Sequence, residues 1–230
     1  MEFINDVVIL ATILATTFSV VVGVFSVYRN PRSKIAFLWL LTTLSIATWG
    51  IGYTLTLFSN TPEQASLYLK MVYFGATLAP ILTFHFIAAF LYKTIQLKYL
   101  LALGYMLSGM FIFLTTSTDL IISGVQYMKN FGHYEEVTAV GFKFYLSYFL
   151  LFVFASVWLL VQGYRNSSGA YQRKIKYLLL ALVIGFVGSM SNFLTDLTGV
   201  YPYGQMIVWL YPLLVTWGIF FEGVKIKVIS

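Results

Sequence analysis

The chain contains no cysteine and has few charged or histidine side chains. The lack of cysteine excludes disulfides, thiolate metal ligands and a cysteine nucleophile. Only 10% of the 230 residues are charged, whereas 60% are hydrophobic. In an average soluble domain about a quarter of the residues are charged. A soluble core of this size could not bury so much apolar surface, so the composition predicts an all-α membrane protein.

The chemical groups of the common membrane enzymes and pumps are also missing from the apolar runs. These runs carry no pair of acids for an aspartyl protease, no histidine–acid cluster for a metal and no glycine-rich phosphate loop. The last run has no lysine to hold a retinal, and His133 lies in a loop, which excludes a haem held between two membrane-embedded histidines. We therefore expect no catalytic residue, no metal and no cofactor.

Seven apolar runs are long enough to cross a bilayer, which takes about 20 residues as a helix. Short segments rich in Pro, Ser, Gly and charge separate them, such as YRNPRSK and YRNSSGAYQRKIK. Residues 1–230 are therefore predicted to form a single seven-transmembrane helix bundle. The predicted spans are 5–28, 35–58, 68–92, 99–117, 144–164, 177–196 and 205–222.

The charged residues divide between the two sides of the predicted bundle. Seven of the 8 acidic residues lie on the side of the N-terminus, and 11 of the 14 basic residues lie on the opposite side. Because lysine and arginine are enriched in cytoplasmic loops, the N-terminus is predicted outside and the C-terminus in the cytoplasm, in the cell (inner, cytoplasmic) membrane. Those 11 residues are Arg29, Arg32, Lys34, Lys93, Lys98, Arg165, Arg173, Lys174, Lys176, Lys225 and Lys227. The net charge of +6 is thus spread over the breaks between spans, and no nucleic-acid partner is expected.

One predicted outer connection, residues 118–143, is long. It contains the β-prone stretches VQYM and EVTAV on either side of Asn130, Gly132 and His133. This pattern predicts an external β-hairpin between helices 4 and 5 that lies over the outer face of the bundle. A disordered loop is the alternative.

Polar side chains within the spans or at their ends are the candidate ligand-binding residues. Tyr73, Asn192 and Asp196 would prefer the bundle interior to lipid, and with Tyr203 they would line an outward-opening cavity with apolar walls. An aromatic belt at the membrane interface is the alternative for the tyrosines. His85 lies at membrane depth, where ionisable side chains usually face the bundle interior. Its alternative is a neutral histidine hydrogen-bonded to a backbone or hydroxyl neighbour.

Several stretches, taken in order, resemble one known family. They are ATWGIGYTLTLFS, YLKMVYFGATLAPILTFHFIAAFL, FKFYLSYFLLFVF, and SNFLTDLTGVYPYGQ followed by WLYPLLVTWGIF. Together they are similar to the seven-transmembrane N-terminal sensor region of prokaryotic histidine kinases, over nearly the full chain. The resemblance implies a membrane receptor that passes an external or lipid-dissolved signal to a cytoplasmic output domain. The family would continue from EGVKIKVIS into a linker helix, a PAS domain or a kinase, whereas the sequence stops there. Two interpretations are open: an isolated or truncated sensor, or a stand-alone member that signals or assembles through other subunits.

The leading hypothesis is therefore a signal-sensing membrane domain without enzymatic activity of its own. A small apolar, amphiphilic or lipid-like ligand would bind from the outer side near Tyr73, Asn192, Asp196 and Tyr203. The last helix would pass a shift through Glu222–Lys227 to a cytoplasmic output domain or partner subunit, in a monomer or a homodimer. The alternatives are a structural or accessory subunit of a larger membrane complex, and a small-solute transporter or substrate-binding membrane subunit.

Overall fold

The described part of the chain folds mainly into long apolar helices. The structure is a computed structural model that describes residues 2–129, 132–198 and 203–221, with side chains except those of residues 2–5, 192 and 194–198. Within these residues, seven helices are long and apolar enough to cross a membrane, which confirms the predicted number. The first six spans are α1 (Glu2–Arg29), α2 (Lys34–Leu57), α3 (Pro62–Phe90), α4 (Lys98–Ser117), α5 (Phe142–Arg165) and α6 (Gly169–Thr198). The seventh consists of a 3₁₀ turn (Tyr203–Ile207), α7 (Leu210–Thr216) and a π turn (Trp217–Phe221).

Two helices begin well before the apolar runs that predict them. α3 starts at Pro62 because the Thr61 hydroxyl accepts a hydrogen bond from the Gln64 amide and proline suits the first helical turn. α6 includes Lys174, which the charge pattern assigns to the break before this span. The Lys174 side chain is buried, and its Nζ donates to the Ile219 carbonyl oxygen at 3.0 Å. This lysine therefore joins the sixth span to the end of the seventh.

The second and third helices approach each other closely through glycine. At Gly75 a Cβ would lie 2.5 Å from the Ser45 carbonyl oxygen and would also meet the Trp49 backbone. At Gly52 a Cβ would lie 2.7 Å from the Val72 amide nitrogen. Small residues let membrane helices pack backbone against backbone. The α2–α3 pair is therefore a unit whose spacing depends on two missing side chains.

Buried hydrogen bonds link several further pairs of spans. The Trp39 indole on α2 donates to the Thr216 hydroxyl on α7 at 3.0 Å. The Tyr148 hydroxyl on α5 donates to the Thr77 carbonyl oxygen on α3 at 2.9 Å and lies 2.6 Å from the Ser108 hydroxyl on α4. Buried polar groups in an apolar bundle cost free energy unless they are paired, so these contacts favour one arrangement of the helices.

A two-stranded antiparallel hairpin connects α4 and α5. Its strands are β1 (Ile122–Met128) and β2 (His133–Thr138), and their register places Val125 opposite Glu136. The hairpin contacts α2, α3 and α6, so it lies against one end of the bundle. That this end faces outward remains the prediction made from the charge distribution.

Candidate ligand-binding site

A cavity lies inside the bundle beneath the hairpin. It offers about 110 Å³ for the centres of water-sized molecules, whereas a single water needs only about 10–15 Å³ on this measure. The cavity is lined by α2, α3, α5, α6, the seventh span and β2. The lining residues are Ile46, Trp49, Tyr53, Val72, Tyr73, Ala76, Ala79, Pro80, Thr83, Glu135, Glu136, Phe149, Val153, Ser156, Leu182, Gly185, Phe186, Ser189, Phe193, Val208 and Tyr211.

Aromatic rings form much of the cavity wall. Trp49 and Tyr53, one turn apart on α2, are stacked with ring centroids 5.9 Å apart and an interplanar angle of 11°. Phe149 and Phe193 meet edge to face with centroids 5.1 Å apart. Large rings with few rotatable bonds give a wall of defined shape, which suits a preformed small-molecule pocket.

Two carboxylates of β2 close the end of this cavity. The Tyr73 hydroxyl donates to Glu136 Oε1 at 2.8 Å, which links α3 to the hairpin. Next to it, His133 Nε2 lies 2.7 Å from Glu135 Oε1, with both side chains largely buried. The apolar cavity therefore has one polar end, and that end carries acidic groups.

The environment of Glu136 favours its neutral form. Burial is the main cause, and the nearby charge of Glu135 adds to it; together they raise the pKa of the Glu136 carboxyl from its ordinary 4.5 to about 7. The hydrogen bond from Tyr73 and the charge of His133 act in the opposite direction but are weaker. Near neutral pH this carboxyl therefore gains or loses a proton at little cost in free energy.

The smaller polar groups of the cavity present mainly acceptor atoms. Ser156 and Ser189 each donate to a carbonyl oxygen one turn earlier in their own helices, at 2.7 Å, which leaves oxygen lone pairs for a ligand. Pro80 on α3 has no amide hydrogen, so the Ala76 carbonyl lacks its usual helical donor, and both residues line the cavity. These three groups therefore offer acceptor oxygens to a ligand.

The comparison with known families accounts for this arrangement of seven spans. A family model described as the N-terminal 7TM region of histidine kinase matches residues 11–223, from the first span to just beyond the π turn. The chain belongs to this family. The resemblance stated from the sequence motifs is confirmed, and the protein is a membrane-embedded sensor region. No curated protein matches the chain.

The site residues predicted for this 7TM sensor region occupy different places. Tyr73 is buried on the cavity wall and holds Glu136. Tyr203 lies in the 3₁₀ turn, is 54% exposed and does not line the cavity. Asn192 and Asp196 lie on α6, on which Phe193 borders the cavity, but their side chains fall outside the described part of the structure.

His85 faces a different part of the 7TM bundle. It lies on α3, where its Nδ1 is 2.8 Å from the Tyr105 hydroxyl of α4, and it does not line the cavity. A hydroxyl partner of this kind is the alternative that the sequence left open for this histidine. The contact joins α3 to α4 and gives the partly exposed imidazole a neutral partner.

Sequence reasoning missed the carboxylates of the hairpin. Glu135 and Glu136 stand next to each other in a segment assigned only a covering role, and Trp49 was taken as part of an apolar span. The available signal was an adjacent pair of acids in a chain with 8 acids in all. A costly charged pair in a β-prone stretch would have marked this strand as a candidate site.

Proposed function

We propose that this 7TM sensor region is a receptor that binds a small apolar or amphiphilic ligand in the cavity, from the outer side of the cytoplasmic membrane. The observation that carries the proposal is the cavity, because it borders five spans and the hairpin at once. A ligand shifts a conformational equilibrium only by the difference in its affinity for the two states. A site shared by five spans offers such a difference whenever one span moves relative to the others.

The seventh span is the proposed route for the signal. Tyr211 borders the cavity on α7, and Trp39 and Lys174 hold this span to α2 and α6 farther along. A displacement of Tyr211 by a ligand would therefore change the contacts of Thr216 and Ile219. The receiving segment predicted from the sequence, Glu222–Lys227, lies outside the described residues. Under the proposal this segment passes the signal to a cytoplasmic output, which is a kinase domain or a partner subunit, and the receptor itself can act as a homodimer.

A variant that fills the cavity tests the proposal. The chain is reconstituted in nanodiscs and screened by thermal shift against small apolar and amphiphilic compounds. Ala79→Leu places a larger side chain in the cavity and should weaken any ligand found by about tenfold or more, because steric overlap removes the space it needs. Ala102→Leu, at an exposed position of α4, is the matched control and should leave affinity unchanged.

Equal affinity of every ligand for Ala79→Leu and the unchanged chain would overturn the cavity as the receptor site. Asn192→Ala and Asp196→Ala test the part of the site predicted from sequence alone. A loss of affinity in these two variants would extend the site along α6 towards the seventh span. Unchanged affinity would restrict it to the lining residues described above.

A further inference from the structure

We propose that the ligand of this cavity is an organic cation, an ammonium group with apolar substituents, held by the Glu136 carboxylate and the aromatic walls. This inference rests on the proposed receptor function and names the chemical class of its ligand. It is drawn from the charges, rings and acceptor atoms that the folded chain brings to one space.

The charge of the cavity has one sign. Glu135 and Glu136 are acidic, and no lysine, arginine or histidine is found among the residues described as lining the cavity. The contact of 2.7 Å between His133 Nε2 and Glu135 Oε1 pairs the imidazole with Glu135. Glu136 receives a hydrogen bond from a neutral phenol, Tyr73, and forms no salt bridge with a lysine or arginine among the described residues. The cationic group described near it is the imidazole of His133 when that group is protonated. A bound ammonium group would supply a positive charge of its own.

The groups around Glu136 come from several elements. Glu135 and His133 lie near it on β2, the Tyr73 hydroxyl of α3 donates to it, and Tyr145 of α5 lies close enough for an electrostatic effect. Opposite it on β1 is the apolar Val125, and α2, α6 and the seventh span contribute no charged residue to the described lining. The described groups that favour the ionised Glu136 carboxylate are thus a phenol, a backbone hydrogen bond and the imidazole of His133, and a bound ammonium group would add a full positive charge to them.

The aromatic walls suit the same kind of ligand. A cation near the face of a tryptophan, tyrosine or phenylalanine ring is attracted by the ring quadrupole, and cages of such rings recognise quaternary ammonium groups. Trp49, Tyr53 and Tyr73 lie on the wall with Glu136 at its end. The Ala76 carbonyl freed by Pro80 adds a further partial negative charge.

The apolar part of the cavity determines which substituents the ammonium group should have. Beyond the carboxylates, Ile46, Val72, Val153 and Leu182 give an apolar surface. Alkyl substituents would be buried against it, which removes their apolar surface from water. A small inorganic cation would leave this surface empty, and an anionic amphiphile would bring its charge towards Glu136. An alkyl ammonium ion satisfies both ends of the cavity.

Three matched probes test the inference on the full chain in dodecyl maltoside micelles. Isothermal titration compares hexyltrimethylammonium with its uncharged isostere 2,2-dimethyloctane and with the anion heptanoate, each corrected against empty micelles. We expect the cation to bind about tenfold or more tightly than either of the others. Phosphatidylcholine is then added to the complex. If it displaces hexyltrimethylammonium, the natural ligand is a lipid headgroup; if it does not, the natural ligand is a soluble organic cation.

Charge-neutral variants locate the binding group. Glu136→Gln should weaken hexyltrimethylammonium by about tenfold or more, whereas Glu63→Gln, an exposed acid in the first turn of α3, should not change it. The affinity of the unchanged chain should rise by about tenfold from pH 6 to pH 8, because the Glu136 carboxyl, with a pKa of about 7, ionises in this range. The buffer dependence of the binding enthalpy measures the released proton and needs no variant.

The outcomes separate this inference from the proposed function. Equal binding of the uncharged or anionic probe, or cation binding that is insensitive to Glu136→Gln and to pH, overturns the cationic ligand while the receptor proposal stands. If no compound of any charge binds in a way that Ala79→Leu prevents, the receptor proposal itself fails.

Discussion

Glu136 shows how a single side chain in the hairpin is controlled by a helix far away in the sequence. Its partner Tyr73 is 63 residues earlier, so the carboxyl is desolvated only when β2 folds back over α3. Tyr73 could be selected from the sequence because a phenol within a span needs a partner. Glu136 could not, because the burial of its carboxyl depends on a long-range contact that neither hydropathy nor charge pattern contains. The same holds for the contact between His85 and Tyr105.

The raised pKa of Glu136 gives the folded chain a pH-dependent stability. Since the folded state binds this proton more tightly than the unfolded state, the free energy of unfolding should fall as pH rises from about 4.5 to about 7 and then level off. The loss amounts to at most about 3 kcal/mol. Thermal unfolding in micelles between pH 4 and 8 measures it.

Glu136→Gln removes the ionising group, so this variant should lose less stability over that range than the unchanged chain. Glu63→Gln, exposed in α3, should follow the unchanged chain. Parallel curves for the unchanged chain and Glu136→Gln would contradict the assignment of this step to Glu136.

At the scale of elements, hydropathy predicts how many helices span the membrane but not where each helix begins. The apolar runs predict seven spans because each must match the thickness of the hydrocarbon. The helix boundaries do not coincide with the ends of these runs, because local capping contacts also determine where a helix begins. Thr61 starts α3 ahead of its apolar run, and α6 extends back through Lys174. The close approach of α2 and α3 could not be predicted either, because the role of a glycine in a span depends on which backbone packs against it.

The glycine contact between α2 and α3 gives a prediction about stability. Gly75→Ala should lower the free energy of unfolding by about 1–3 kcal/mol, because the new Cβ would overlap the backbone of α2 and force the helices apart. Gly109→Ala is the matched control on α4, where a Cβ meets nothing within 4 Å. It should leave stability unchanged or raise it by up to about 1 kcal/mol. Thermal unfolding measures the stability of both variants. Equal changes in stability for Gly75→Ala and Gly109→Ala would contradict the close contact between α2 and α3.

At the scale of the whole molecule, the separation of charge predicts the orientation. Basic residues collect at the breaks after α1, α3 and α5, and acids collect at the opposite end together with the hairpin. This asymmetry acts during insertion into a membrane with two different sides. The folded bundle is compatible with either direction, so the orientation can be argued from the sequence but not from packing.

The absence of cysteine makes the orientation directly measurable. Ser123→Cys lies on the exposed surface of the hairpin, and Ser168→Cys is exposed between α5 and α6. A membrane-impermeant maleimide added to intact cells should label the first and not the second, whereas permeabilised cells should show both. The reverse pattern would place the hairpin, and the end of the bundle that it covers, in the cytoplasm.

The π turn at Trp217–Phe221 has a consequence for geometry beyond residue 221. A π turn holds roughly one residue more than an α turn, and an α-helix rotates by about 100° for each residue. Any helix that continues from this span therefore presents a face turned by about 100° from that of an uninterrupted α-helix. Interconversion of the π turn and an α turn would rotate the continuing helix about its own axis, with an axial shift of only about 1.5 Å.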